Sequence, residues 1–405
     1  MAKRTGIYDR IRFDAEVISA QFDGQGWVVH TRDGQKARVD FLISATGVLH
    51  HPKVRDIRGL ADFAGSVFHS ARWDHSVDVR DRRVAVVGTG STGVQLISAL
   101  AGTPARLSLF QRTPQWIFPM PNPRYRRLTH RSHRVFPWLD HVGYHGYRVA
   151  MEAFAGALTK PGWRRQFVAV LCRANLRTVR DPQLRAALTP DYTPMCKRLV
   201  LSGGFYRAMQ RDDVELVTAG IDHVESRGIV TTDGNLHEAD VIVLATGFDA
   251  HAYMRPMEVV GRDGLRLDDA WRDGPRAFET VAMPGFPNFF MLLGPHSPVG
   301  NFPLTGVAES QANRIVRWIR RWQRGEFDTV EPTTKATDAF NAALSEAMPR
   351  TVWTTGCDSW YLGKNGLPEV WPFTPARHRA ILAKPKIENY ELRTGPVTEI
   401  DLAST

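Results

Sequence analysis

Residues 83–93 read RVAVVGTGSTG: five strand-like residues run into Gly88, Gly90 and Gly93, and a helical pattern, Val94 to Leu100, follows at once. A strand, a sharp turn and a helix is the arrangement this order predicts. The glycines sit where the chain must turn, where a pyrophosphate would approach the backbone, and where a helix N-terminus would face that anion. A tight turn with no ligand is the plainer alternative. The segment predicts an α/β, Rossmann-like nucleotide-binding unit. A second strand, Arg106 to Phe110, comes at the expected distance and ends in Gln111-Arg112-Thr113. An NAD site places Asp or Glu there against the ribose hydroxyl; Arg112 suits a 2′-phosphate instead, which favours NADP. A solvated surface arginine is the alternative.

Shifting the numbering by 200 places Thr31, Asp33, Gly34, Asp40, Ala45, Thr46 and Gly47 on Thr231, Asp233, Gly234, Asp240, Ala245, Thr246 and Gly247. The equal spacing from the Asp-Gly turn to Ala-Thr-Gly points to one module used twice. In the first copy the alternation predicts strands over 15–22, 27–31 and 37–44, joined by the turns Asp23-Gly24 and Asp33-Gly34. Upstream of this copy no GxGxxG opens a helix, so the first nucleotide-binding domain is expected to be incomplete.

Length and composition fit a soluble, multidomain globular protein: 405 residues, 43% apolar and 23% charged. The net charge of +10 favours anionic partners such as phosphorylated cofactors, acidic membrane surfaces or nucleic acid. No run is long enough to span a membrane, and the basic start leads into polar sequence rather than a signal-peptide core. Cys172, Cys196 and Cys357 stand far apart, without CxxC spacing, so neither a disulfide framework nor a zinc cage is expected and a reducing cytoplasm is the simplest location. Between about 115 and 195 lies an Arg- and aromatic-rich helical insertion. His130, His133, His141 and His145 within it could be drawn as metal ligands, but no carboxylate or cysteine partners accompany them, so no metal is expected. A membrane or single-stranded nucleic acid could face that insertion, although no nucleic-acid motif supports the latter.

Residues 63–74, FAGSVFHSARWD, carry Phe63, Gly65, His69, Trp73 and Asp74 at the spacing FxGxxxHxxxW(P/D). This resembles the fingerprint of the Baeyer-Villiger flavin monooxygenases. The order Ala-Thr-Gly, fingerprint, GTGSTG, FQRTP, CKR, Ala-Thr-Gly-Phe-Asp and GPHSP (Gly294 to Pro298) is similar to that family along nearly the whole chain. The resemblance implies FAD and NADP as cofactors, two nucleotide-binding domains, and dioxygen with a ketone or other lipophilic molecule as substrates. It divides the chain into residues 1–50 as remnant of the FAD domain, 51–75 as linker, 76–245 as NADP domain with its insertion, and 246–405 as the remaining FAD domain.

Residue by residue, the resemblance implies that Gly88, Gly90, Ser91, Thr92 and Gly93 hold the NADPH pyrophosphate, and that Arg112, Thr113 and Lys197 take its 2′-phosphate. Arg198 is similar to the family's active-site arginine, which supports the negatively charged reactive flavin and the nicotinamide carboxamide. A guanidinium stays charged at any working pH and offers several donors to an oxyanion; a structural salt bridge is the alternative. His69 and Trp73 match linker residues that relay domain rotation. Trp360, in Ser359-Trp360-Tyr361, is similar to a tryptophan near the nicotinamide ribose. Members of the family begin with a GxGxxG for FAD that this sequence lacks, which implies that roughly the first hundred residues are missing. Two other readings therefore stand beside the ketone-oxidising one: nitrogen or sulfur oxygenation, and a non-catalytic NADP-binding remnant or half of a split flavoprotein.

Overall fold

The computed structural model describes residues 2–54, 56–122, 135–136, 138–297, 300, 302–363 and 366–395. It divides into two compact units: residues 1–48, 251–347 and 362–405 form one, and 49–250 with 348–361 form the other. Segment 348–361 thus clusters with the unit that carries the glycine motif.

The first unit opens with the antiparallel meander β1 (Val17–Phe22), β2 (Trp27–Thr31) and β3 (Lys36–Val39). Asp23 closes the first turn by accepting from the Gly26 and Gln25 amides at 2.8 and 3.0 Å. Ala20, Phe22 and Trp27 turn inward, as their alternation requires. The expected third strand over 37–44 is two strands. β3 stays with β2, whereas β4 (Leu42–Ser44) pairs in parallel with a later segment of the unit, Phe289–Met291. All three residues of that partner are buried, so the apolar face it offers draws β4 out of the meander.

The second unit is built on a parallel sheet. β5 (Ser66–His69) and β6 (Arg83–Val87) precede helix α1 (Ser91–Leu100) and β7 (Arg106–Phe110). The insertion is closed at its base by β8 (Ile117–Phe118) against β9 (Val200–Leu201) and contains helices α2 (Trp138–Thr159) and α3 (Trp163–Leu176). β10 (Val214–Val217) leads to the second meander, β11 (Ile221–Glu225), β12 (Gly228–Thr231) and β13 (Leu236–Glu238), and then to β14 (Val241–Leu244). The strand order β10-β7-β6-β14-β5 puts β6 and the almost wholly buried β14 at the centre. A run of Val, Ile and Leu without alternation is what a strand covered on both faces needs.

The two meanders share their details. Thr31 and Thr231 each donate from the side chain to the Asp two residues on; Gly34 and Gly234 take φ of +83° and +82°; and both copies shift register in the first hairpin.

The chain returns to the first unit with β15 (Glu258–Val260) parallel to β1, β16 (Phe289–Met291) beside β4, helix α4 (Leu304–Gln323), and the pair β17 (Thr329–Pro332) and β18 (Tyr390–Arg393). Trp27, Trp271, Phe286 and Phe289 form one core cluster there; Trp318, Phe327 and Tyr390 belong to another. Buried Arg314 of α4 is paired with Glu279, which also accepts from the Tyr390 hydroxyl at 3.1 Å. Among the described residues, no helix is long and apolar enough to cross a membrane.

Candidate nucleotide and active site

At the end of β6 the three glycines answer to three different demands. Gly88 has φ of +113°, and a Cβ there would stand 2.5 Å from the Ala245 carbonyl oxygen. A Cβ on Gly93 would stand 1.9 Å from the Gly88 oxygen, so only glycine lets α1 press onto the loop. At Gly90 a Cβ would meet nothing within 4 Å. The protein itself therefore requires Gly88 and Gly93, while at Gly90 there is open space before the helix N-terminus. No side chain caps α1 at Gly90, which leaves its first amides and its positive dipole end for another acceptor. Thr89 donates to the Thr113 carbonyl at 2.6 Å and the Gly88 amide to the Phe110 carbonyl at 3.1 Å, binding the loop to the end of β7. This cradle fits a pyrophosphate.

Past β7, Gln111 is buried and held at both ends: its amide donates to the Val217 carbonyl at 2.8 Å and its side chain to the Ala187 carbonyl at 2.7 Å. Arg112 is left exposed beside the half-buried Thr113. Lys197, from the segment before β9, feels the charge of Arg112. Burial lowers its pKa, the charge of Arg112 pushes the same way, and Asp358 and Asp191 pull back. Its ammonium lies 4.8 Å from the centre of the Tyr192 ring. The Tyr192 hydroxyl donates within the stretch that follows Thr113, to Pro114 or Gln115 at 3.1 and 3.0 Å. Two cations within electrostatic reach disfavour each other unless an anion joins them, and an Arg–Lys pair at the end of the second strand suits a phosphate.

Arg198 is half-buried, and its charge reaches Tyr361. Burial pushes the Tyr361 hydroxyl up to about 12, and the charge of Arg198 acts against that rise. The segment from Cys357 to Tyr361 is held covalently: Cys196 and Cys357, 161 residues apart, form a disulfide. The expectation that the cysteines would stand apart is corrected here. Distance along the chain is no guide to pairing once two loops of one unit meet. Cys196 sits inside the CKR motif and Cys357 just before Ser359-Trp360-Tyr361, two motifs that the resemblance assigns to one cofactor, and that nearness is the available signal. Trp360 is 37% exposed, its ring 4.3 Å from that of Tyr361. Sequence reasoning had passed over Tyr192, Asp358 and Tyr361. Cys172 is a buried free thiol, its pKa pushed up to about 12 by burial.

The fingerprint residues support the sheet and its exit. Phe63 is in the core; a Cβ on Gly65 would stand 2.3 Å from the Asp240 carbonyl oxygen, so the backbone passes where only glycine fits. His69 ends β5. Its Nδ1 accepts from the Ala71 amide at 3.1 Å, which leaves Nε2 to donate to the Gly247 carbonyl at 3.1 Å. Only the neutral ring makes both bonds, and burial holds its pKa below the usual imidazole range. Trp73 lies edge-on to Phe68 with ring centres 4.9 Å apart, and Asp74 accepts from the Ser76 amide and hydroxyl at 2.9 and 2.6 Å. His69 is thus joined to the Ala245-Thr246-Gly247 loop that follows β14, the same loop that Gly88 abuts.

His141 and His145 lie exposed on α2, and His130 and His133 lie outside the described residues. Among the described residues no group of three His, Cys, Asp or Glu could hold a metal ion.

Residues 8–136 match the family model described as pyridine nucleotide-disulphide oxidoreductase. The chain is 66% identical over 393 residues to an uncharacterized monooxygenase of Mycobacterium tuberculosis, spanning 97% of this chain and 79% of that one. It is 36% identical over 403 residues to a Baeyer-Villiger monooxygenase of Streptomyces coelicolor, spanning 98% and 78%. Among solved structures it resembles cyclohexanone monooxygenase from Rhodococcus sp. Phi1 bound to NADP+, with a TM-score of 0.84, 28% identity, and coverage of 97% of this chain and 83% of that one.

Proposed function

The chain belongs to the Baeyer-Villiger family of flavin monooxygenases, and from that premise we propose that it oxidises NADPH and inserts one atom of dioxygen beside the carbonyl of a ketone, giving an ester or lactone. The overall balance is ketone, O2, NADPH and a proton going to ester, water and NADP+. The observation that supports this reading is that the glycine cradle, Arg112 with Lys197, and Arg198 all belong to one compact unit.

In this reading the amides of Ser91, Thr92 and Gly93 hold the NADPH pyrophosphate, with Gly88 and Gly90 leaving room for it. Arg112, Thr113 and Lys197 take the 2′-phosphate, so that NADPH is preferred to NADH. FAD, when bound, would supply the activation of dioxygen and the oxygen transfer. Arg198 orients the nicotinamide carboxamide and places a permanent positive charge where negative charge develops. Tyr361 and Trp360, held close by the Cys196–Cys357 bond, wall that arginine and exclude water from its side. His69 and Trp73, at the exit of the sheet, transmit movement of the loop after β14.

The test is NADPH oxidation by the purified chain supplied with FAD, with a cyclic ketone and a thioether assayed side by side. Ketone-dependent oxidation with stoichiometric lactone is expected. A sulfoxide with no lactone would make the chain a sulfur-oxygenating enzyme, and flavin binding without any substrate-dependent oxidation would overturn the proposal.

A further inference from the structure

We infer that the helical hairpin α2–α3 is a docking surface for an anionic lipid bilayer. On α3, Trp163, Phe167 and Val170 fall at i, i+4 and i+7 and are 71, 56 and 56% exposed. The opposite face of the same helix, with Val168, Cys172 and Leu176, is buried. α3 is therefore apolar on both faces, although among the described residues only one of them is packed; a helix of that kind leaves an apolar face to be covered. α2 carries a similar exposed apolar stripe, with Trp138, Val142 and Val149 exposed by 58, 59 and 65%.

The hairpin is rooted, not loose. Met151, Ala155 and Leu158 in the trailing half of α2 are buried, and Arg165 at the start of α3 donates to the Ala157 and Leu158 carbonyls at 3.0 and 3.2 Å. Its apolar residues are held outward by a packed base.

Charge identifies the occupant. Residues 115–195 contain thirteen Lys and Arg against four Asp and Glu, a net of +9, and the whole chain carries +10. Five of those arginines, between 124 and 134, lie outside the described residues; the hairpin itself, residues 138–176, carries Arg148, Lys160, Arg164, Arg165 and Arg173 against Asp140 and Glu152, a net of +3. Interfacial helices combine these features: tryptophan and aliphatic groups at the acyl boundary, arginine at the lipid phosphates. A second copy would bring net positive charge against net positive charge, which opposes pairing through this face. No described helix is suited to spanning, which leaves docking in the interface plane.

Flotation of the full FAD-supplied chain with vesicles of phosphatidylcholine alone, and of phosphatidylcholine mixed with phosphatidylglycerol, tests the inference. The expected result is binding to the mixed vesicles only, with a blue shift of tryptophan emission. The bound fraction should weaken on the order of tenfold as salt is raised through the range in which surface charge is screened. The double variant Trp163→Ser/Phe167→Ser should lose binding on the order of tenfold, and Arg164→Glu/Arg173→Glu at least as much, while both bind NADPH and melt like the parent. Equal binding to both vesicle types, or none to either, overturns the inference. So does dimerisation in sedimentation velocity that Trp163→Ser abolishes, which would assign the face to a second copy, or retention by single-stranded nucleic acid without vesicle binding.

Discussion

Arg112 and Lys197 come from different stretches of chain and share one electrostatic neighbourhood, which is why their removal should be selective rather than general. Arg112→Met or Lys197→Met is expected to lower kcat/KM for NADPH by about tenfold to a hundredfold, the value of one charge-assisted contact, and to leave NADH turnover unchanged. Steady-state kinetics with both coenzymes decide this; equal losses would place neither residue at the 2′-phosphate. Cys357 acts at one remove, by holding Asp358, Trp360 and Tyr361 beside Lys197 and Arg198. Cys357→Ser should raise KM for NADPH several-fold with little change in kcat, a dithiol should do the same to the parent protein, and the variant should no longer respond to the dithiol. A variant and parent with the same KM before and after reduction would deny the tether any part in coenzyme binding.

Between β6 and α1 the three glycines separate folding from binding. Gly93→Ala forces a Cβ against the Gly88 oxygen and should cost stability as well as coenzyme affinity. Gly90→Ala meets no protein atom and takes a backbone, φ of −65°, that alanine accepts. It should melt within about 1 kcal/mol of the parent yet bind NADPH at least tenfold more weakly; differential scanning fluorimetry and fluorescence titration separate the two. This loop was legible in the sequence because its rule is local: a strand, fixed glycine spacing, a helix. The paired meanders were legible for the same reason, since Thr31-x-Asp33-Gly34 and Thr231-x-Asp233-Gly234 close their turns with their own side chains. What was misread is non-local. β4 leaves the run 37–44 because its partner is Phe289–Met291, and Cys196 meets Cys357 because two loops fold onto one site. Neither partner is visible from the residues beside it.

Across the whole molecule, buried polar groups tie stability to pH. His378 is buried, with its Nε2 3.0 Å from the Thr280 hydroxyl, which accepts from Gln311 at 2.9 Å. Burial lowers its pKa from 6.5 to about 4. Between these values the unfolded chain binds a proton that the folded one does not, so this stability is full above pH 6.5 and is lost as pH falls towards 4. The term is on the order of 3 kcal/mol. His69 shifts in the same direction. Melting of the parent should fall between pH 7 and 5 more steeply than that of His378→Gln; parallel slopes would contradict the assignment. The Arg314–Glu279 pair makes a second global prediction. Arg314→Leu strands a buried carboxylate and should cost about 3–5 kcal/mol, part of which Arg314→Leu/Glu279→Leu recovers, as denaturant melts would measure.

Where the oxygen goes decides the chemistry. Mass spectrometry of the product formed by the FAD-supplied chain from a cyclic ketone, NADPH and 18O2 should find one labelled atom in the ring of the lactone and the other in water. Lactone without label, or consumption of NADPH that delivers the label only to peroxide or water, would contradict it.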